Sequence, residues 1–263
     1  PGPHTLSLSV SDELGASCLA QARYTASTPP AVSLTSPLDG GVYLDGEALA
    51  FSAEVSDADE APDALVLSWE LDGTLAGSDP ADSTGTAVLA PAELEPGEHS
   101  LLVSATDSTG QTASAVSAFR IDGAPSQPAV SISPATATTA TDLYATASDS
   151  TDPEGGVVTY GLVWLADGAA TSHTGASLPA AVTEKGQTWT VVATPSDGLQ
   201  DGPPAEASVF IENTPPAVTG ISVVPASPVY NDDVLLCAAT ADDPDETPAL
   251  SYRWLQGGAE RSA

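Results

Sequence analysis

Three short segments of this chain alternate apolar and polar residues and close on a tryptophan. They are ALVLSW at 64–69, VVTYGLVW at 157–164 and ALSYRW at 249–254, so Trp69, Trp164 and Trp254 stand 95 and 90 residues apart. In each segment the residues two and four before the indole share its face: Leu67 and Leu65, Leu162 and Tyr160, Tyr252 and Leu250. A period of two with one apolar face is the pattern of a half-buried strand. A repeat near 90 residues means one supersecondary unit used several times. This restricts the chain to a serial architecture before any other property is considered.

A second element recurs out of phase with the first. PGPHTLSLSVSDELG at 1–15 aligns with PGEHSLLVSATDSTG at 96–110, placing His4 on His99, Asp12 on Asp107 and Gly15 on Gly110. A looser copy, KGQTWTVVATPSDG at 185–198, has Trp189 where the others have histidine. Each reads as a tight turn, an alternating strand and an acidic turn. Proline-marked joints complete the unit: TPPAVSL at 28–34, SQPAVSI at 126–132 and TPPAVTGI at 214–221. Proline lacks an amide donor and holds its predecessor extended, which suits linkers and edge-strand starts.

These signals divide the chain into 1–27, the closing half of a repeat; 28–124 and 125–213, two whole repeats; and 214–263, an opening half. Each whole repeat has room for about seven strands with turns every ~8 to 12 residues, the layout of an antiparallel β-sandwich. Helix has little place among 23 prolines and 22 glycines, beyond a turn at PAELEPG, 91–97. Trp69, Trp164 and Trp254 read as core by parity, and His4 and His99 as equivalent inward positions at a strand start. Methionine is absent from all 263 residues, so an internal piece of a longer protein is expected. The two half-repeats are accounted for by truncation. They are also the parts needed for neighbouring copies to complement one another, as in strand-exchange fibres.

The order of proline joint, acidic loop (SDADE, DDPDE), tryptophan strand and PGEHSLLVSATDSTG resembles the immunoglobulin-like repeats of bacterial surface proteins. It is most similar to their polycystic-kidney-disease-type and cadherin-like members. The resemblance implies an all-β fold of tandem antiparallel immunoglobulin-like sandwiches in an extended array. It also implies an extracellular or cell-surface location and use as a stalk, spacer or adhesive rod, often stiffened by calcium. After each tryptophan this chain has ELDG, LADG or LQGG, where the family continues through an aromatic and a Gly-Asp-Gly turn.

In such an array three acidic elements meet at each joint. One joint gathers Asp57, Asp59 and Glu60 with Asp107. The next gathers Asp149, Asp152 and Glu154 with Asp197 and Asp201, with Asp122 arriving from the linker. The last gathers Asp242, Asp243, Asp245 and Glu246 with Glu212 and Asn213. Calcium takes six to eight oxygens in flexible geometry, which such loops supply, and it would relieve repulsion among carboxylates with few basic partners. Without the cation such a joint would be floppy. The alternative is turn chemistry, because Asp caps nearby amides in loops, and no loop here has EF-hand spacing. Adaptation to high salt is a third account of the scarce lysine.

Thirty-six acids against five scattered bases, a net charge of -31, exclude nucleic acid and anionic membrane surfaces as partners. No apolar run reaches the ~18 residues of a spanning helix. The expected partners are neighbouring repeats, other copies in a fibre, or a cell-surface or polymer ligand. Cys18 and Cys237 have no metal-ligand spacing; Cys237 is open to a bridge with a closing strand or to life as a buried thiol. Three histidines and no HExxH, GxSxG or phosphate loop leave no nucleophilic or metal-dependent active site to propose. The sequence therefore points to a non-catalytic structural or adhesive segment. The runner-up is an accessory spacer that holds a secreted hydrolase near its substrate.

Overall fold

The computed structural model describes residues 2–47, 49–90 and 94–261. The chain forms two units, one of residues 1–124 with 152–156, the other of 125–151 with 157–263. In the first unit, β1 (Gly2–Ser11) and β2 (Ser17–Ala26) form a hairpin. Eight strands follow: β3 (Ala31–Ser36), β4 (Val42–Leu44), β5 (Phe51–Ser56), β6 (Val66–Leu71), β7 (Thr74–Gly77), β8 (Thr86–Leu89), β9 (Gly97–Thr106) and β10 (Thr112–Asp122). They make a sheet ordered β3-β5-β8 and a second ordered β4-β10-β9-β6-β7. Phe51, Ala53 and Val55 of the first sheet bury themselves against Leu67, Trp69, Leu101, Val103 and Phe119 of the second. Alternate residues supply the core because successive side chains of a strand point to opposite faces.

The second unit repeats the plan with β11 (Ala129–Ser133), β12 (Ala137–Thr138), β13 (Leu143–Ser148), β14 (Thr159–Ala166), β15 (Ala169–Thr174), β16 (Ser177–Leu178), β17 (Thr188–Ser196) and β18 (Ala205–Glu212). Its sheets are β11-β13-β16 and β12-β18-β17-β14-β15. Trp164, Trp189, Leu143, Leu178, Val191 and Ile211 fill its core. Two further pairs end the chain: β19 (Ala217–Val224) with β20 (Leu236–Asp242), and β21 (Trp254–Gln256) with β22 (Ala259–Arg261).

Among the described residues each sandwich has eight strands where about seven were expected, and is not wholly antiparallel. The extra strand is short and runs parallel to the last one: β4 beside β10, and β12 beside β18. Pro37 and Pro134 follow β3 and β11 directly, and with no amide hydrogen they cannot continue the ladder on the first sheet. The chain then crosses to the second sheet.

Trp69 and Trp164 are fully buried, as parity requires. Trp254 is only half-buried, and Leu250 and Tyr252 before it are exposed and outside any strand. The reason is local, since β6 and β14 are each held by a long antiparallel neighbour, β9 or β17, and 249–253 has none. His4 is likewise a correction: it is exposed and stacked on Tyr24, and among the described residues no sheet lies over β1–β2. His99, its counterpart, is largely buried. Regular helix is confined to single 3-10 turns at Pro62–Ala64 and Ala180–Val182 among the described residues. The helical turn expected at 91–97 falls partly on residues outside that set.

Candidate functional site: carboxylate clasps on the linkers

The acidic loops are first of all self-capping turns. Asp57 Oδ1 accepts from the amides of Asp59 (2.6 Å) and Glu60 (3.0 Å), and Asp243 Oδ1 accepts from those of Asp245 (2.8 Å) and Glu246 (3.3 Å). Asp152 Oδ1 does the same for Glu154 and Gly156, and Asp197 Oδ1 for Leu199 and Gln200. Asp107 Oδ1 takes the amides of Thr109 and Gln111. A short carboxylate reaching its own backbone two to four residues on is the local chemistry that makes Asp a turn residue.

The acid two places further along has a different task. Asp59 Oδ2 accepts from both the amide (2.8 Å) and the hydroxyl (2.9 Å) of Thr28. Asp245 Oδ2 accepts from the amide of Thr214 (2.5 Å), and its Oδ1 from the Thr139 hydroxyl. Glu154 Oε2 accepts from the amide of Gly123 (3.2 Å). The pattern is Asp-x-acid: the first member shapes the loop, the second grips the linker. Thr28 and Thr214 are the last amide donors before Pro-Pro, so the clasp takes the only backbone donor available there. Ser27 adds a hydroxyl bond to Asp107 Oδ2 (3.1 Å), and Glu60 accepts the amide and hydroxyl of Ser108. At Ser126, hydroxyls replace the carboxylate: the Thr151 amide donates to Ser126 Oγ (2.8 Å), and Ser150 Oγ to Ser126 O.

The remaining expected site residues are placed as follows. Asp122 pairs with Arg120 at 2.9 Å. Asp149 is exposed at positive φ and accepts from the Ser148 hydroxyl. Asp242 ends β20 with its side chain in solvent. Asn213 shares Lys185 with Glu246, at 3.2 and 3.0 Å. Lys185, Thr28, Thr139 and Thr214 were not anticipated as site residues, although Thr before Pro-Pro opposite an Asp-x-acid loop is a signal present in the sequence.

Among the described residues no three His, Cys, Asp or Glu side chains are grouped to hold a metal. Asp59, Asp107 and Asp245 spend carboxylate oxygens on amides and hydroxyls of their own loops and linkers. Both cysteines are free thiols, Cys18 exposed and Cys237 half-buried.

The clasps favour ionised carboxylates. The Thr28 amide, then its hydroxyl, hold Asp59 below the ordinary range against the cost of desolvation. The Thr139 hydroxyl does most for Asp245, ahead of the Thr214 amide and Lys185. A depressed carboxyl contributes stability above its unfolded value near ~3.9 and loses it as pH falls through the lower folded value. With Asp59→Ala, hydrogen exchange at the Thr28 amide is therefore expected to speed up at neutral pH. The gap to the wild type should close once the pH falls below the folded value, and equal rates at pH 7 would refute the clasp.

His99 behaves oppositely. Nδ1 lies 2.8 Å from Asp72 Oδ2 and Nε2 2.8 Å from Glu95 O, two acceptors that only a doubly protonated ring satisfies. Burial works against that charge, but the bonds to Glu95 O and Asp72 outweigh it and raise the pKa, with Glu98 adding to them. A raised histidine contributes fully below about 6.5 and loses its contribution as pH climbs through the folded value. The melting temperature of this sandwich should fall as the pH rises above about 6.5, and the fall should vanish in His99→Gln.

No family model matches the chain, and no curated protein does. Among solved structures it is similar to fibronectin(III)-like modules of CbhA from Clostridium thermocellum: 20% identity, 69% of this chain and 94% of that one, TM-score 0.32. A 1.5-MDa bacterial ice-binding adhesin is similar at 14% identity over 79% and 74% of the two chains, TM-score 0.44. The EC3-6 region of protocadherin gammaB7 is similar at 13% over 92% and 67%, TM-score 0.39. With its two packed sheet pairs, this chain is an all-β protein of tandem immunoglobulin-like sandwich modules.

Proposed function

We propose that the chain is a non-catalytic structural or adhesive segment of a longer extracellular repeat protein, a stalk whose work is reach and resistance to bending. The observation that carries this reading is the clasp. Linker amides at Thr28, Gly123 and Thr214 are each held by a loop carboxylate, which fixes the path of the chain at the edge of each sheet pair. His99 has both ring nitrogens engaged and is not available as a base, which also supports a non-catalytic role. No helix among the described residues is long and apolar enough to cross a membrane.

A second reading, calcium stiffening, is favoured by buried carboxylate oxygens that accept no hydrogen bond: Asp57 Oδ2, Glu154 Oε1 and Asp197 Oδ2. Pulling single molecules tests both readings. A stalk segment should give two main rupture events, each releasing roughly 300 Å of contour from ~90 residues at ~3.5 Å apiece. Traces in calcium and in chelator at matched ionic strength should superimpose if the clasps suffice. Higher forces in calcium would transfer the joint to the cation, and one low, featureless extension would remove the stalk role.

A further inference from the structure

Three strand ends of the sheet β12-β18-β17 lie on one side. β12 ends at Thr138 and β18 at Glu212, which are paired in parallel, and the antiparallel β17 begins beside them at Thr188. Backbone bonds from Gly186 N–H to Ile211 O and from Ile211 N–H to Gln187 O, both 2.9 Å, fix the turn into β17. That turn sets Lys185 beside Asn213, the residue after β18, with Nζ donating to Asn213 Oδ1 at 3.2 Å. The loop 243–246 lies across this platform. Asp245 Oδ1 accepts from the hydroxyl of Thr139, next after β12, and Glu246 Oε2 takes Lys185 Nζ at 3.0 Å on the β17 side. Between them Asp245 Oδ2 accepts the Thr214 amide, and the Thr214 hydroxyl meets that of Thr139 at 2.9 Å.

The charges at this joint are unequal. The loop brings Asp243, Asp245 and Glu246, while Glu184 and Glu212 stand next in sequence to Lys185 and Asn213. Lys185 is the one lysine of the chain. Its hydrogen bond to Glu246 does most to raise its pKa against the cost of desolvation, and the charges of Glu246, Asp245 and Asp243 add to the rise. The first sandwich makes the equivalent joint differently. Pro96 stands in the place of Lys185, and Gly123 in that of Asn213. There a Cβ on Gly123 would lie 2.6 Å from Pro96 Cγ and 3.0 Å from Pro153 Cγ, so the proline rings already close on the linker. Proline contact closes one joint, where an ammonium among carboxylates closes the other.

We propose that Lys185 is the positioning residue of this joint: its charge seats the loop 243–246 on the end of the sheet, and the grip of Asp245 on Thr214 depends on it. Removing that charge leaves Asp243, Asp245, Glu246, Glu184 and Glu212 to repel one another. Salt screens the attraction, so Lys185 matters most in a dilute medium. The inference rests on the stalk reading and names what holds one joint of the stalk. The two fail separately. A featureless pulling trace would remove the stalk and leave the effect of Lys185 on Thr214 standing, whereas rupture events can persist in a chain whose joint ignores Lys185.

Amide hydrogen exchange followed by NMR on the 263-residue chain tests it at Thr214, whose N–H must leave Asp245 in order to exchange. At about 10 mM sodium chloride, where charges act across about 30 Å, Lys185→Gln should speed that exchange about two- to fivefold, the scale of a half-exposed ion pair. At about 1 M, where the screening length shrinks to about 3 Å, the gap to the wild type should largely close. Lys185→Arg keeps the charge and should restore the wild-type rate. Thr139→Val removes a hydroxyl and no charge, so its acceleration of Thr214 exchange should persist in salt. The Gly123 amide, held at the proline-closed joint, should respond to none of these variants. Neither Lys185 nor Thr139 lies in the sandwich core, so circular dichroism melting of that core should be unchanged. An unaltered Thr214 rate in Lys185→Gln, an effect that salt leaves intact, or an arginine that fails to rescue would each overturn the proposal.

Discussion

Trp164→Ala is expected to cost the second sandwich about 3–5 kcal/mol, a large part of the 5–15 kcal/mol that holds an ordinary domain together. The indole is fully buried among Leu143, Leu178 and Val191. Its Nε1–H donates to Gly175 O at 3.0 Å, and its carbonyl accepts the Thr171 hydroxyl at 2.6 Å. Truncation leaves a cavity and strands the Gly175 carbonyl. The two cores share no residue, so denaturant unfolding followed by circular dichroism should show one transition moved and the other fixed. The moved transition should melt more than about 10 °C lower. Trp69→Ala should reverse which transition moves. The phenylalanine variants separate packing from hydrogen bonding, because Trp69 Nε1 is buried with no acceptor. Trp69→Phe should therefore be the milder of the two. Equal shifts of both transitions would mean the sandwiches share one cooperative core.

Gly85→Ala should destabilise the first sandwich by about 2 kcal/mol or more. Gly85 adopts φ +97°, where an L side chain is strained, and an added Cβ would collide with the carbonyl oxygen of Val55. That neighbour is backbone and cannot swing aside: Val55 N–H donates to Gly85 O at 2.8 Å, fixing the strand against the turn. Gly110 gives the comparison, at φ +87° with open space around it. Gly110→Ala should cost only the backbone term, about 1 kcal/mol. Urea midpoints of the two variants at constant slope measure the difference, and equal losses would remove the collision from the account.

Most of the architecture was legible because strand parity depends only on neighbours in sequence. Leu65, Leu67 and Trp69 had to share a face whatever lay opposite. Parity failed where burial depends on a partner strand. His4 repeats His99 in sequence, and Tyr252 repeats Leu67, yet both are exposed, with no second sheet over them among the described residues. The short parallel strands were hidden for a similar reason, as VYL at 42–44 and AT at 137–138 are too brief to show a period. At the joints, acid content was plain but its use was not. Composition counts carboxylates, and only the folded loops show which amide or hydroxyl each of them accepts from. The pairing of the second acid with the Thr28 or Thr214 amide depends on how the loop folds against the linker, which no spacing rule encodes.

The parallel strand beside the last strand of each sandwich bears on how a tensed chain would break. Tension enters a module near its first strands and leaves through its last. Antiparallel hydrogen bonds pulled from one end open singly, like a zip. Parallel neighbours drawn in opposite directions are loaded in shear, and their bonds must fail together. The β4–β10 ladder spans three residue pairs and β12–β18 two, so the first sandwich should hold longer than the second under the same load.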